Sequence, residues 1–115
     1  MVWHVVFYKD KNSIEPVKEF ILSQSDDAIG EILHVVDLLY KFDLSLGLPY
    51  VEKVRGKIWS LRIKHSSDYF RILYYAASGK KFILLHAIQK KTDKLPKRDI
   101  EVAEERRNDN ELNTG

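Results

Sequence analysis

The sequence has no cysteine, three prolines and five glycines in 115 residues, and each scarcity excludes something. Without cysteine there is no disulfide scaffold, no thiolate zinc site and no cysteine nucleophile. The glycines are scattered and form neither G-x-G-x-x-G nor a P-loop, so nothing points to a bound nucleotide cofactor. His4, His34, His65 and His86 fall into neither H-x-x-x-H nor H-E-x-x-H spacing, and no paired-carboxylate motif marks a strand, so metal and glycosidase chemistry find no support. The longest apolar runs, such as Ile72 to Ala77, are far short of the ~20 residues of a membrane-spanning helix. No basic-then-apolar segment opens the chain. The expectation is a cytoplasmic protein without cofactor or metal.

What is present is a core and a charge pattern. A chain of 13.5 kDa with 44% apolar residues can bury enough surface to fold unaided. A single domain over residues 1–107 is expected, with 108–115 as a frayed polar tail. The net charge of +2 conceals segregation. Residues 1–51 carry a net −4 and residues 99–115 another −4, whereas residues 52–98 hold thirteen Lys or Arg against three acids, a net +10. A basic centre on one structural unit is the footprint of a surface that meets phosphates or an acidic protein.

The hydrophobic period organises the chain. Val2 to Tyr8 is β-branched and aromatic, as in a buried strand. Asn12 and Ser13 offer caps, Glu15 and Pro16 suit a first turn, and Val17, Phe20 and Ile21 share a helical face. Ser25 caps a second helix with Ile29, Ile32, Leu33, Val36, Leu39 and Tyr40 at helical spacing, and Gly47 lies beyond its end. From Gly56 the period changes to two: Ile58 to Lys64, Tyr69 to Ala76 and Phe82 to Gln89 read as an antiparallel meander. Lys90 to Leu95 forms a basic loop, and Pro96 opens a last helix with Ile100 and Ala103 on one face. The class is α+β, with helices expected on one sheet face and the other left open to a partner.

The cations worth singling out are Lys57, Arg62, Lys64, Arg71, Lys90, Lys91, Lys97 and Arg98, together with His86. Arg62, Arg71 and His86 interrupt otherwise apolar strands, where a solubilising charge is out of place. A half-buried Arg needs a compensating anion, so Arg71 implies either a carboxylate of the same chain, such as Asp68 or Glu52, or the phosphate of a ligand. His86 is either a satisfied sheet residue or, among cations that favour a neutral imidazole, a group able to accept a proton.

The runs LPYVEKVRGKIWSLRIK (48–64), YFRILY (69–74) and LLHAIQKKT (84–92), with Pro96, resemble the phage-derived, HigB-like branch of the RelE/ParE toxin superfamily. The resemblance covers about residues 45–107. It implies a RelE-like fold and the toxin half of a toxin–antitoxin pair: a ribosome-dependent endoribonuclease that cuts mRNA and is silenced by a cognate antitoxin, often a helix-turn-helix protein. It places the cations matching Arg62, Lys64, Arg71 and Lys90–Lys91 on one concave sheet face. The tyrosine that some members carry in the C-terminal helix has no counterpart among residues 100–107, which leaves His86 as the candidate for proton transfer. On this reading Arg71, His86, Lys90 and Lys91 are catalytic, and Lys57, Arg62, Lys64 and Arg98 grip the RNA backbone. Two other readings stay open: a ParE-like inhibitor of DNA gyrase, and a non-enzymatic module whose basic sheet docks RNA or an acidic protein.

Overall fold

The structure is a computed structural model that describes residues 2–92 and 94–114. Along the chain run β1 (His4–Phe7), α1 (Pro16–Leu22), α2 (Asp26–Phe42), β2 (Val51–Arg55), β3 (Ile58–His65), β4 (Asp68–Ala77), β5 (Lys81–Lys90) and α3 (Lys97–Thr114). The strands form one sheet in the order β1-β5-β4-β3-β2. The meander β3–β4–β5 is antiparallel, and β1 joins its edge parallel to β5, so the sheet is mixed. Strand β2 is an addition to the expected meander. Only Val51 in it is fully buried, and a five-residue segment with three charges leaves no alternating signal strong enough to read.

The helical hairpin forms for local reasons. The Ser25 side chain accepts from the Ala28 N–H at 3.2 Å and caps α2, while Pro16 sits at the start of α1 with Glu15, not Asn12 or Ser13, at the cap position. The Asp10 carboxylate instead organises that loop, accepting from the Asn12 and Ile14 N–H groups. The buried stripe of α2 is Ala28, Ile32, Val35 and Leu39, rotated from the expected face. Leu33 and Tyr40 remain 47% and 46% exposed. Both helices pack on the sheet face made by Leu61, Ile63, Phe70, Ile72, Tyr74, Phe82 and Leu84. Stacking of Trp3 on Phe82 (4.4 Å between centroids) closes this core beside β1.

The opposite face is not left open along its whole length, as a one-sided layering would require. Ile58, Leu73, Tyr75, Ile83 and Leu85 form a second core there with Tyr8 and with Ala103 of α3. Strand β4 is therefore buried on both sides, which accounts for its nearly unbroken apolar run from Phe70 to Tyr75. Residues 108–114, expected to fray, instead continue α3, and Gly115 lies outside the described residues. The physical reason is anchoring: the Tyr8 hydroxyl donates to the Asp109 carboxylate at 2.6 Å, and the Asn110 amide donates to the Tyr75 hydroxyl at 2.9 Å. Arg106 and Arg107 lie over the Tyr8 and Tyr75 rings.

Leu39→Ala, which empties a fully buried site in the hairpin core, should lower stability by about 2–5 kcal/mol in urea unfolding. The Tyr8 phenol is pushed up from 10.0 to about 12, first by burial and then by its bond to Asp109. A raised folded-state value means the contribution is complete below pH 10 and is lost as pH climbs toward 12. Alkaline titration followed by circular dichroism should show a smaller loss of helix over that interval in Tyr8→Phe than in the parent chain.

Candidate functional site

Helix α3 divides the second sheet face. Its contacts begin with Asp99 at His86, pass through Ala103 and Arg106, and end with Asn110 at Tyr75. It therefore covers the half of the face near Ile58, Tyr75 and Ile83. The other half, toward the ends of β3 and β5 at His65 and Lys90, lies beyond the helix.

Strand register sets what occupies that half. Residues paired across a ladder point to the same side of a sheet. Arg62 is paired with Arg71, Lys64 with Tyr69, Tyr69 with Lys90, Arg71 with Ile88, and Leu73 with His86. Arg71 thus stands at the centre of a lattice: Arg62 directly across on β3, Ser60 and Lys64 diagonal to it, and His86 and Lys90 diagonal on β5. Diagonal neighbours in antiparallel sheet are about 7–8 Å apart. His86 belongs to this face because of a β-bulge. The register of β5 shifts between the partners of Leu73 and Tyr74, leaving Leu85 unpaired, so Leu85 and His86 both turn toward α3.

Arg71 is 5% exposed, and its guanidinium contacts the Glu52 carboxylate at 3.2 Å and the Ser60 hydroxyl at 3.4 Å. Of the two acids the sequence offered, Glu52 is the partner. Asp68 instead pairs with Lys91 at 2.6 Å and accepts from the Gln89 amide at 2.9 Å, and the Lys91 contact holds its carboxyl below the usual range. Lys91 is largely exposed, so this ion pair adds little to stability. Lys64 projects over the Tyr69 ring at 5.7 Å.

His86 is held at both nitrogens. Nε2 lies 2.7 Å from the Asp99 carboxylate, and Nδ1 lies 3.3 Å from an Arg106 nitrogen. A guanidinium can only donate, so Nδ1 is the acceptor and Nε2–H donates to Asp99. Arg106 also donates to the Leu85 carbonyl at 2.8 Å, the group the bulge withdraws from the ladder. The arrangement orients the imidazole through a carboxylate, with Nε2 the donor and Nδ1 the acceptor that Arg106 engages.

The remaining candidates lie apart. Lys57 sits in the turn before β3, seven residues from Lys64, so at ~3.3 Å per residue it is roughly 20 Å away at the other end of the sheet. Lys97 and Arg98 are exposed in the first turn of α3. Sequence reasoning missed Ser60, Asp99, Arg106 and the half-buried Tyr69. Asp99 and Arg106 are seven residues apart, two helical turns, and that spacing is the one signal that could have placed them on the same side of α3.

Beside that half lies a cleft of about 480 Å³ between α2 and the ends of β3 and β4, with Glu31, His34, Tyr50, Arg62, Lys64, Arg71, Ile63 and Phe70 among its lining residues.

Nitrogen NMR should find the His86 ring in the tautomer that carries its proton on Nε2. Asp99→Asn, whose amide can also donate, should shift that tautomer balance while the fold is retained.

No helix among the described residues is long and apolar enough to cross a membrane. No curated protein is significantly similar to the chain. A family model does match, described as phage-derived protein Gp49-like (DUF891), over residues 19–108. That span runs from α1 through most of α3 and includes Arg62, Arg71, His86 and Lys90. The chain belongs to the Gp49-like family of phage-derived proteins.

Proposed function

We propose that this protein is the toxin of a toxin–antitoxin pair and acts as a ribosome-dependent endoribonuclease on mRNA in the cytoplasm, restrained by a cognate antitoxin. Membership in the Gp49-like family supports the coarser part, a toxin-type protein, and the α+β architecture is compatible with a RelE-like fold. The observation that carries the finer part is the lattice around Arg71. One buried guanidinium has Arg62, Lys64, Lys90 and His86 as its neighbours on the half of the sheet that α3 leaves uncovered.

RNA brings its own nucleophile. In transesterification the 2′-oxygen attacks the adjacent phosphorus, the 2′-hydroxyl proton leaves, and the 5′-oxygen of the next nucleotide departs after taking up a proton. The protein has to hold the phosphate, offset the extra negative charge of the pentavalent transition state and move the proton. Arg71 and Lys90 are assigned to that charge, with Lys91 beside them at the end of β5. Arg62 and Lys64 grip the flanking backbone, and Arg98 adds positive charge at the start of α3. Lys57 would touch only a strand running the length of the sheet. His86, oriented by Asp99, is the general base through Nδ1, and Arg106 has to shift off that nitrogen as RNA enters.

Removing a donor that acts in the transition state typically lowers rate by about 10²- to 10³-fold. Arg71→Ala should therefore abolish growth arrest on expression while circular dichroism still reports a folded chain. Arg71→Lys should lose most activity too, because it retains charge without the planar fork. Undiminished toxicity in Arg71→Lys would favour a simple basic docking surface. Primer extension after induction of the parent chain should find new ends inside translated mRNA. Growth arrest without such ends would favour gyrase inhibition.

A further inference from the structure

Lys57 stands at the end of the sheet away from Lys64 and Lys90, and the cleavage reading finds little use for it. It is not alone there. Register puts the turn before β3, which carries Lys57, and the turn before β5, which carries Lys80, at one end of the sheet, where Lys81 opens β5. Lys53 on β2 is paired with Trp59 and holds its ammonium 5.5 Å from the centre of that ring. None of these four lysines forms an ion pair among the described residues.

Beside Lys53 is a pocket of about 80 Å³ lined by Leu44, Leu46, Val51, Trp59, Tyr74 and Phe82, with the turn Asp43–Ser45 that follows α2 forming part of its wall. Trp59 and Tyr74 are paired across β3 and β4, so with Lys53 they project to the side of the sheet on which the hairpin packs. Two polar groups of the lining residues are unspent. Tyr74 is 4% exposed, yet its hydroxyl makes no hydrogen bond among the described residues, and burial holds the phenol above its ordinary range. Buried hydroxyls are normally paired. The indole N–H of the 36% exposed Trp59 makes no hydrogen bond among the described residues either. Asp43, also in the lining, is engaged in its own turn, where its carboxylate accepts from the Leu44 N–H at 2.5 Å.

Size decides what could enter. Small-molecule sites run roughly 300–1,000 Å³, and even the cavity that holds benzene is ~150 Å³. A pocket of about 80 Å³ takes one aliphatic side chain. Its apolar walls ask for such a group, the phenol and indole can donate to carbonyl or carboxylate oxygens, and the lysines at this end ask for negative charge. RNA would be drawn to the lysines, but its backbone offers nothing aliphatic to fill the pocket. We propose that this pocket receives one aliphatic side chain from an acidic segment of a partner protein, which docks at the opposite end of the sheet from Lys64 and Lys90. Under the toxin reading that partner is the antitoxin. The inference rests on that reading for the identity of the partner, and on the pocket for its chemistry.

The probe is a pentapeptide capped at both ends, with leucine at its centre and aspartate or glutamate elsewhere. It should be titrated into the full chain while NMR follows the Trp59 indole N–H, which should shift to saturation. Exchanging the central leucine for alanine should weaken binding at least about tenfold, the least expected for more than one methylene lost from an apolar pocket. Exchanging the acids for lysine should abolish binding. Tyr74→Phe deletes a hydroxyl that supports no other contact, so the urea midpoint should hold while the peptide binds about two- to tenfold more weakly. An unmoved Trp59 signal, equal affinity for the leucine and alanine peptides, or unchanged affinity in Tyr74→Phe overturns the proposal. Displacement of the peptide by a uridine oligonucleotide does so too, and favours RNA at this end. Peptide binding in a chain that arrests no growth upholds the pocket and overturns the toxin reading alone. Growth arrest by a chain that ignores the peptide does the reverse.

Discussion

One extra residue in β5 determines how the chemistry-bearing part of this protein is arranged. Strict alternation along Phe82, Ile83, Leu84 and Leu85 would turn His86 toward the helical hairpin and its apolar core. The bulge at Leu85 resets the phase, so His86 shares a face with Arg71 while Ala87 takes the core position. The same irregularity frees the Leu85 carbonyl, a buried acceptor that requires a partner, and Arg106 provides it. Arg106 then reaches Nδ1 of His86, and its fixed position decides which tautomer the imidazole adopts. A change of strand phase is thereby converted into the orientation and tautomer of a side chain.

How far the face is covered depends on how α3 is held. The helix offers little apolar surface, and Ala103 is its one buried residue in the second core among the described residues. The rest of its docking is polar: Asp99 to His86, Glu104 to Arg55, Asp109 to Tyr8 and Asn110 to Tyr75. The Glu104 carboxyl is held below its ordinary range by the Arg55 guanidinium, as expected of an engaged partner. Attachment by such point contacts lets the helix stop where its partners stop. Its contacts with the sheet begin at Asp99 on His86, so Arg62, Lys64 and Lys90 lie past its first turn. The acidic helix and the basic half-face are two parts of one charge pattern.

Much of this architecture was legible in the sequence. The switch from helical to strand period at Gly56, the Ser25 cap and the apolar run of β4 gave the hairpin and the meander. Strand β2 was not legible, because five residues with three charges carry no periodic signal. The end of α3 is hard to read for a related reason. Residues 108–114 are polar, and polarity on a helix reads as fraying unless the partners are known, here two tyrosines from β1 and β4 far away in the chain. In the site, Arg62 and Arg71 stood out because they interrupt apolar strands. Their convergence required register, which alternation alone leaves free by one residue. Asp99 and Arg106 carry only their two-turn spacing and acquire meaning from what lies across from them.

The buried Arg71 shows why an internal acid and a ligand phosphate need not be competing explanations. A guanidinium at 5% exposure is tolerable only with compensation, and in the resting chain Glu52 contributes to it from an edge strand whose own side chain is 46% exposed. A carboxylate and a phosphate present the same planar pair of acceptor oxygens to the same fork of donors. If RNA displaces Glu52, the acid moves from a half-exposed position into water, at small cost, and the guanidinium keeps its compensation throughout. Had the partner been buried as deeply as Arg71, expelling it would strand a second charge, and the pair would serve the fold alone. The unequal burial of the two partners is therefore the physical feature that suits this ion pair to exchange.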